Sequence, residues 1–241
     1  MTSSDFCNDI IDHAKSNSKE EVCGLVVLNE DLTISVEKMV NEHSSPEKCF
    51  SISAAKFINF KINKTILGIY HSHPYHSEEP SEHDVNTCEE LGMPYLIYSL
   101  VTDKFFLYCP ESYEPEDLIG RPYVEGFYEC TSIFRDYFHL KLNKNISSYN
   151  KNYWLPKEDK KANDLLYSVL NSNFKKINKD DIKKHDILVF QLKESKRCHV
   201  GVYLGNDYFI HQPAQQLSRN QILDERWQSK IKDTYRHHSL V

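Results

Sequence analysis

The stretch GIYHSHPYHSEEPSEHD, residues 68–84, places four histidines among acidic residues directly after an apolar run. The apolar run predicts a buried strand, so His71 and His73 would share one face of its C-terminal end, roughly 7 Å apart along the chain. Ser81 is a candidate N-cap, which puts Asp84 in the first turn of the next helix with its carboxylate directed back at the strand end. Two imidazoles and one carboxylate leave a fourth position for water, the pattern of a catalytic Zn²⁺ site.

A water at such a site needs a carboxylate base close by, and Glu21, which precedes an apolar strand, can supply one. The neighbouring Glu20 leaves that assignment open by one residue. A second interpretation also stays open, because Ser81 and Asp84 fit an ordinary capping box and histidine-rich loops are often only polar surface. An H-x-H pair by itself is a weak metal signal.

The combination of these motifs is more specific than any one of them. A Glu before a Cys-Gly-Leu strand, then H-x-H-P, then S-x-x-D resembles the signature of the JAMM (Mov34/MPN/JAB) metallo-isopeptidase family over residues 1–111. The resemblance implies a Zn²⁺ cofactor held by His71, His73 and Asp84, with Glu21 as general base and Ser81 as a donor that stabilises the oxyanion. His76 and His83 match no motif position and are interpreted as surface residues.

A second candidate site begins in GRPYVEGFYECTS, residues 120–132, where Cys130 starts an amphipathic helix. A thiolate is favoured at a helix N-terminus and is then nucleophilic, although a buried structural cysteine is the common alternative. His199 and His211 lie on two successive strands around a turn at Gly205-Asn206-Asp207, which predicts that they come nearly opposite, within one residue of register. One imidazole could take the thiol proton while the other orients it.

This second half resembles the NlpC/P60 family of peptidoglycan endopeptidases over residues 119–241. The resemblance implies that Cys130 is the nucleophile and His199 the base. It also implies that His211 orients His199 and that Tyr123 helps to stabilise the oxyanion. The chain departs from the family pattern in three places: Glu129 replaces the usual Asp, Thr131-Ser132 replaces Ser-Gly, and Lys184-His185-Asp186 stands where Gly-Asp is common.

The elements that must position these residues fall into two groups. Helices are predicted at 3–15, 53–62 and 81–92, and strands at 23–28, 32–40, 65–70, 95–102 and 104–109. Beyond them, helices are predicted at 130–142 and 163–174, and strands at 185–192, 199–205 and 207–213. We therefore expect two α+β domains: a JAMM-like mixed sheet with flanking helices at 1–111, and a papain-like NlpC/P60 domain with an antiparallel sheet and an N-terminal catalytic helix at 119–241, joined by a linker at 112–118.

Composition narrows the function classes. The 241-residue chain has a net charge of −6 without a basic stripe, which argues against nucleic acid as a partner. Its apolar stretches are too short for membrane insertion, and its start lacks a signal peptide. Seven cysteines without paired spacing suit a reducing compartment.

A JAMM domain followed by an NlpC/P60 domain resembles the tail assembly protein K family of long-tailed phages. That resemblance implies a protein made in the host cytoplasm that acts at the virion tail tip, with peptidoglycan peptides and tail-tip proteins as partners. We expect a cysteine endopeptidase that cleaves peptidoglycan crosslinks, together with a zinc isopeptidase-type domain that processes a tail component. Two alternatives remain open: a non-enzymatic tail-tip assembly factor whose sites bind a partner, and a cellular deubiquitinase-like enzyme, which explains the first half only.

Overall fold

The computed structural model describes residues 5–115, 117–124, 126–146, 159–192 and 196–241. They fall into two compact units, of which the first ends at Glu114 and the second begins at Pro115. In the described ranges, no helix is both long and apolar enough to cross a bilayer.

The first unit is built on a five-stranded mixed sheet in the order β2-β1-β3-β4-β5, in which only β3 and β4 run parallel. Its strands are β1 (Cys23–Leu28), β2 (Ile34–Met39), β3 (Thr65–His73), β4 (Tyr95–Ser99) and β5 (Lys104–Tyr108). Its helices are α1 (Asp5–Ser16), α2 (Ala54–Asn63) and α3 (Glu82–Leu91). The mixed sheet with helices confirms the predicted fold class of this half.

The central strand β3 carries the first candidate site. Its apolar sequence is buried from residue 67 onward, as expected for a strand covered on both faces. The strand runs three residues further than its apolar stretch predicted, because His71 and His73 are themselves paired, with Cys23 on β1 and Ser99 on β4. Both histidines are therefore held by strand hydrogen bonds on a rigid element.

Gly24 on β1 is packed so closely by its neighbours that no side chain fits there. A Cβ atom there would lie 2.4 Å from a ring carbon of Tyr70 on β3 and 2.3 Å from the carbonyl oxygen of Glu37 on β2. The Tyr70 ring is fully buried, and its hydroxyl bonds Nδ1 of His13 on α1 at 2.8 Å. Glycine in the Cys-Gly-Leu strand therefore lets an aromatic ring pack directly on the backbone beside the candidate site.

Gly24→Ala should accordingly destabilise the first unit by about 3 kcal/mol, the upper end of the usual cost of overpacking a core. The Glu37 contact is backbone and cannot turn away, so the strands themselves must shift. Urea unfolding of the full chain measures the effect. An unchanged midpoint would show that the ring does not sit on this glycine.

The second unit contains a six-stranded antiparallel sheet in the order β10-β9-β8-β7-β11-β6. Its strands are β6 (Phe174–Ile177), β7 (Ile187–Gln191), β8 (Cys198–Gly205), β9 (Tyr208–His211), β10 (Arg219–Ile222) and β11 (Ile231–His237). Its helices are α4 (Cys130–Leu142), α5 (Asp159–Asn173) and the short α6 (Glu225–Gln228). The antiparallel sheet behind a leading helix confirms the predicted fold class of this half.

Helix α4 begins at Cys130 and packs on β8 through an apolar face. That face contains Ile133, Phe134, Tyr137 and Phe138, all of them buried, while Leu140 is exposed. The helix that begins at Cys130 is thereby held against the sheet.

The hairpin of β8 and β9 differs in register from the prediction. Its turn at 206–207 has positive φ at both positions, 52° and 58°, and the ladder shifts by a residue next to the turn. His211 lies opposite Gly201, two residues from His199, so the expected one-residue margin is wrong. A shift of two keeps both histidines on the same face of the sheet, so they still meet.

Candidate functional site

The first candidate site is a cluster of three buried side chains: His71 and His73 from β3 and Asp84 from α3. The Nε2 atoms of the two histidines lie 3.2 Å apart. The distance to the Asp84 carboxylate is 3.3 Å from His71 Nε2 to Oδ1 and 3.5 Å from His73 Nε2 to Oδ2. Ligand atoms about 2.0–2.1 Å from a tetrahedral Zn²⁺ would stand about 3.3–3.4 Å from one another. The donor set and its spacings therefore fit a tetrahedral zinc ion with one open position.

The surroundings orient these ligands. Nδ1 of His73 lies 2.6 Å from the carbonyl oxygen of Ser77 and must donate to it, which leaves Nε2 with a free lone pair. The His71 ring stacks on Phe50 with 4.5 Å between ring centroids, and its Nδ1 has no hydrogen-bond partner in the described part of the chain. Burial would raise the pKa of Asp84, but the charge of His71 and hydrogen bonds with His71, His73 and Ser81 lower it well below its usual range. The carboxylate is thus ionised and ready to bind a cation.

Glu21 and Glu20 differ sharply in environment. Glu21 is 5% exposed, whereas Glu20 is exposed to solvent. Burial raises the pKa of Glu21 to about 7, partly opposed by His73. The backbone of Glu21 is held by two bonds: its N–H donates to the carbonyl of Pro46 at 2.7 Å, and its own carbonyl accepts from the Asn41 amide at 2.8 Å. The buried carboxylate is the better candidate for a proton acceptor.

Ser81 forms the predicted N-cap of α3. Its hydroxyl donates to Asp84 Oδ2 at 2.6 Å and accepts from the Asp84 N–H at 3.1 Å, which completes a capping box. The capping and metal interpretations are therefore compatible, because one carboxylate serves both. His76 and His83 are exposed, and neither is in the cluster.

A cavity of about 420 Å³ has Asp84 in its lining and is largely apolar. Phe50, Ile52 and Phe57 line it, with His83 at its wall. Sequence inspection did not identify these residues, because isolated apolar positions give no motif.

The second candidate site lies in a cavity of about 400 Å³ in the other unit, and it brings together the predicted Tyr123, Cys130, His199 and His211. Cys130 is half-buried at the first position of α4. Glu129, the N-cap, donates its N–H to the Ser132 hydroxyl at 2.8 Å and accepts from the Thr131 hydroxyl at 2.5 Å. Two of the three departures from the family pattern, Glu129 and Thr131-Ser132, thus form a capping network at the start of α4.

The two histidines of this cavity are in direct contact. His199 Nε2 lies 2.8 Å from His211 Nδ1, so the Nδ1 atom of His199 is its remaining ring nitrogen for a thiol proton. Burial lowers the pKa of His199 to about 4, and burial with the charges of His199 and Arg219 lowers that of His211 to about 3. Both rings are neutral near pH 7, and a neutral imidazole can accept a proton.

Several residues of this cavity were missed by sequence inspection: Ala162, Leu166, Gln212, Arg219 and Trp227. The Trp227 indole stands edge-on to the His211 ring with 5.2 Å between centroids, and so covers the dyad. Gln212 directly follows His211, which is the only sequence signal that could have indicated it.

The neutral histidines predict an acid-labile second unit. Between pH 6.5 and the folded pKa values the unfolded chain binds protons at both positions and the folded chain does not, so stability should fall as the pH drops below about 6.5 and level off near pH 4 and 3. The loss should approach about 1.4 kcal/mol per pH unit for each histidine. Urea midpoints between pH 7 and 4 measure it. The variant His199→Gln/His211→Gln is the control, and an equally steep loss in that variant would contradict the assignment.

Comparison with known proteins agrees with this division into two units. Residues 3–109 match the family of prokaryotic homologs of the JAB domain, and residues 120–236 match the NlpC/P60 family. The chain is 24% identical over 234 residues to the tail tip assembly protein K of Escherichia phage N15, which covers 95% of this chain and 92% of that protein. It is 22% identical over 186 residues to the protein of the same name from Escherichia phage lambda, covering 77% and 89%.

The second half has a further relative. Over 53 residues the chain is 42% identical to a probable endopeptidase NlpC homolog of Haemophilus influenzae, covering 22% of this chain and 27% of that protein. The chain therefore carries a JAB domain followed by an NlpC/P60 domain, in the same order as the predicted motifs.

Proposed function

We propose that this chain, with its JAB domain followed by an NlpC/P60 domain, is a peptidase of the phage tail tip whose second domain cleaves peptide crosslinks of peptidoglycan. The observation that carries the proposal is the buried contact between His199 and His211, at 2.8 Å, in the cavity that Cys130 also lines. A thiol at a helix N-terminus beside a neutral imidazole is the arrangement that nucleophilic catalysis requires. The similarity to tail tip assembly protein K supports the setting in phage assembly.

In the proposed reaction, His199 Nδ1 takes the thiol proton of Cys130, and the thiolate attacks the carbonyl carbon of the peptide bond. The Tyr123 hydroxyl, at the same cavity, donates to the oxygen that becomes negative. His199 then gives its proton to the leaving amine as the C–N bond breaks. Water hydrolyses the resulting thioester and restores the thiol, while His211 holds the His199 ring in place throughout.

The JAB domain is proposed to be a second hydrolase, with His71, His73 and Asp84 holding a zinc ion. The ion, when bound, supplies a Lewis acid that polarises a carbonyl group and acidifies water. Glu21 accepts a proton in this scheme, and Ser81 orients Asp84 through its hydroxyl. The apolar cavity next to Asp84 fits an apolar side chain of a protein substrate, such as a tail component made in the host cytoplasm.

A non-enzymatic assembly factor is the second candidate function. The apolar cavity beside Asp84 favours it for the first domain, because such a cavity also fits a partner's side chain without any reaction.

The test is digestion of purified peptidoglycan by the full chain, with mass analysis of the soluble fragments. We expect fragments with new amino termini that arise from cut peptide crosslinks. Fragments without such termini, or none at all while the protein is folded, would contradict the proposed substrate.

A further inference from the structure

Two consecutive residues of the second unit carry buried polar atoms that nothing satisfies. In the described part of the chain, three buried side-chain polar atoms have no hydrogen-bond partner, and two of them are Nε2 of His211 and Oε1 of Gln212. Both residues are 1% exposed, and both line the cavity that holds Cys130. A buried polar atom without a hydrogen-bond partner costs free energy. Two such atoms in one cavity therefore indicate that a bound polar ligand forms hydrogen bonds with them.

The orientation of the Gln212 amide follows from its neighbours. Its Nε2 donates to the carbonyl oxygens of Gln216 at 2.7 Å and of Arg121 at 3.3 Å. Carbonyl oxygens only accept, so turning the amide over would set oxygen against oxygen. The NH₂ group is therefore fixed on the protein, and Oε1 is the atom left over.

Arg121, whose carbonyl accepts a hydrogen bond from Gln212, is linked to helix α4. The Arg121 guanidinium donates to Asp136 of α4 at 2.5 Å in an ion pair that is buried on both sides. The backbone of Arg121 is also held, because its N–H donates to the Ser218 hydroxyl at 2.8 Å and its carbonyl accepts from the Ser218 N–H at 2.9 Å. Gln212 is thus preorganised relative to the helix that begins at Cys130.

We propose that Gln212 Oε1 accepts an N–H from a peptide bound in the cavity, so that Gln212 aligns the substrate main chain beside Cys130. The inference rests on the proposed cysteine peptidase function. An amide oxygen attracts a main-chain amide or an ammonium group and repels a carbonyl or a carboxylate. The residue therefore selects the segment of a peptide that presents a donor.

The test uses two N-acylated alanyl chloromethyl ketones that differ by one methyl group on the alanyl nitrogen. In both, the Cys130 sulfur displaces chloride and forms a C–S bond, but only the parent reagent carries an N–H. The wild-type chain should react about tenfold faster with the N–H reagent, the ratio that one well-made hydrogen bond gives. Gln212→Met, which keeps the length of the side chain without its oxygen, should lose that preference.

One control variant separates this contact from a general effect of removing an amide. Gln228→Met removes an amide that donates to the carbonyl of Leu223 and does not line the cavity, so it should behave like the wild type. The readout is a ratio of two rates on one protein, and partial unfolding lowers both rates alike.

An equal preference in the wild type and Gln212→Met would overturn the inference. A chain in which Cys130 reacts with neither reagent would contradict the cysteine peptidase function, and the role of Gln212 with it. A chain in which Cys130 reacts but the methyl group has no effect would contradict the role of Gln212 alone.

Discussion

Cys130→Ala should lower the release of crosslink fragments from peptidoglycan by at least about a thousandfold, because it removes the atom that forms the covalent intermediate. His199→Ala should lose activity to a similar extent, since the two groups act as a unit and their effects do not add. The double variant should therefore be no worse than either single one. Initial rates on purified peptidoglycan measure all three.

Cys7→Ala is the matched control, since Cys7 is also a half-buried thiol on a helix but lies in the other unit. It should retain activity within about twofold. Full hydrolysis by Cys130→Ala would assign the cleavage to the JAB domain or to a different nucleophile.

The second large effect concerns metal. The full chain should bind about one Zn²⁺, and His71→Ala or His73→Ala should reduce the bound zinc to near zero, because two of three protein ligands cannot hold the ion at this site. Glu21→Gln should keep the zinc, since Glu21 is not in the ligand cluster. Elemental analysis of the purified proteins after dialysis measures the stoichiometry.

His76→Ala is the control for this series, because His76 lies just beyond the end of β3 and is exposed. It should bind as much zinc as the wild type. An equal amount of bound zinc in the wild type and in His73→Ala would contradict the proposed metal site.

The motifs at the first site were predictable because their geometry is local. His71 and His73 lie two apart on a strand, which fixes a common face, and Ser81 and Asp84 stand three apart at a helix start, which fixes a capping box. The choice of Glu21 over Glu20 needed the structure, because burial separates two residues that sequence spacing does not. The fold class followed from the same local patterns.

Features that depend on distant contacts were not predictable. Gln212 meets Arg121 across 91 positions of the chain, and no pattern of residue types signals that meeting. Strands β6, β10 and β11 were missed because their sequences are polar and lack apolar alternation. The predicted pairing of His199 with His211 was wrong because a hairpin centred on Asn206 pairs His211 with Gly201 instead.

His185 shows how a departure from a family pattern is accommodated. It adopts a left-handed backbone, φ 77°, at a place where the family commonly has glycine. Its ring bonds the Tyr137 hydroxyl at 2.8 Å, and the following Asp186 is buried and receives two bonds from Arg236, at 2.8 and 2.7 Å. These contacts hold the strained residue, and only the structure reveals them.

The activation of Cys130 is the central claim, and a short pulse of iodoacetamide near neutral pH with peptide mapping tests it most directly. Cys130 should be labelled faster than the other six cysteines, because it lies at a helix N-terminus in the cavity that also holds His199. Cys23 should be slow, since burial raises its pKa to about 12. His199→Ala should abolish the fast labelling and His211→Ala should reduce it less. Labelling of Cys130 no faster than that of the other cysteines in the folded chain would contradict the account.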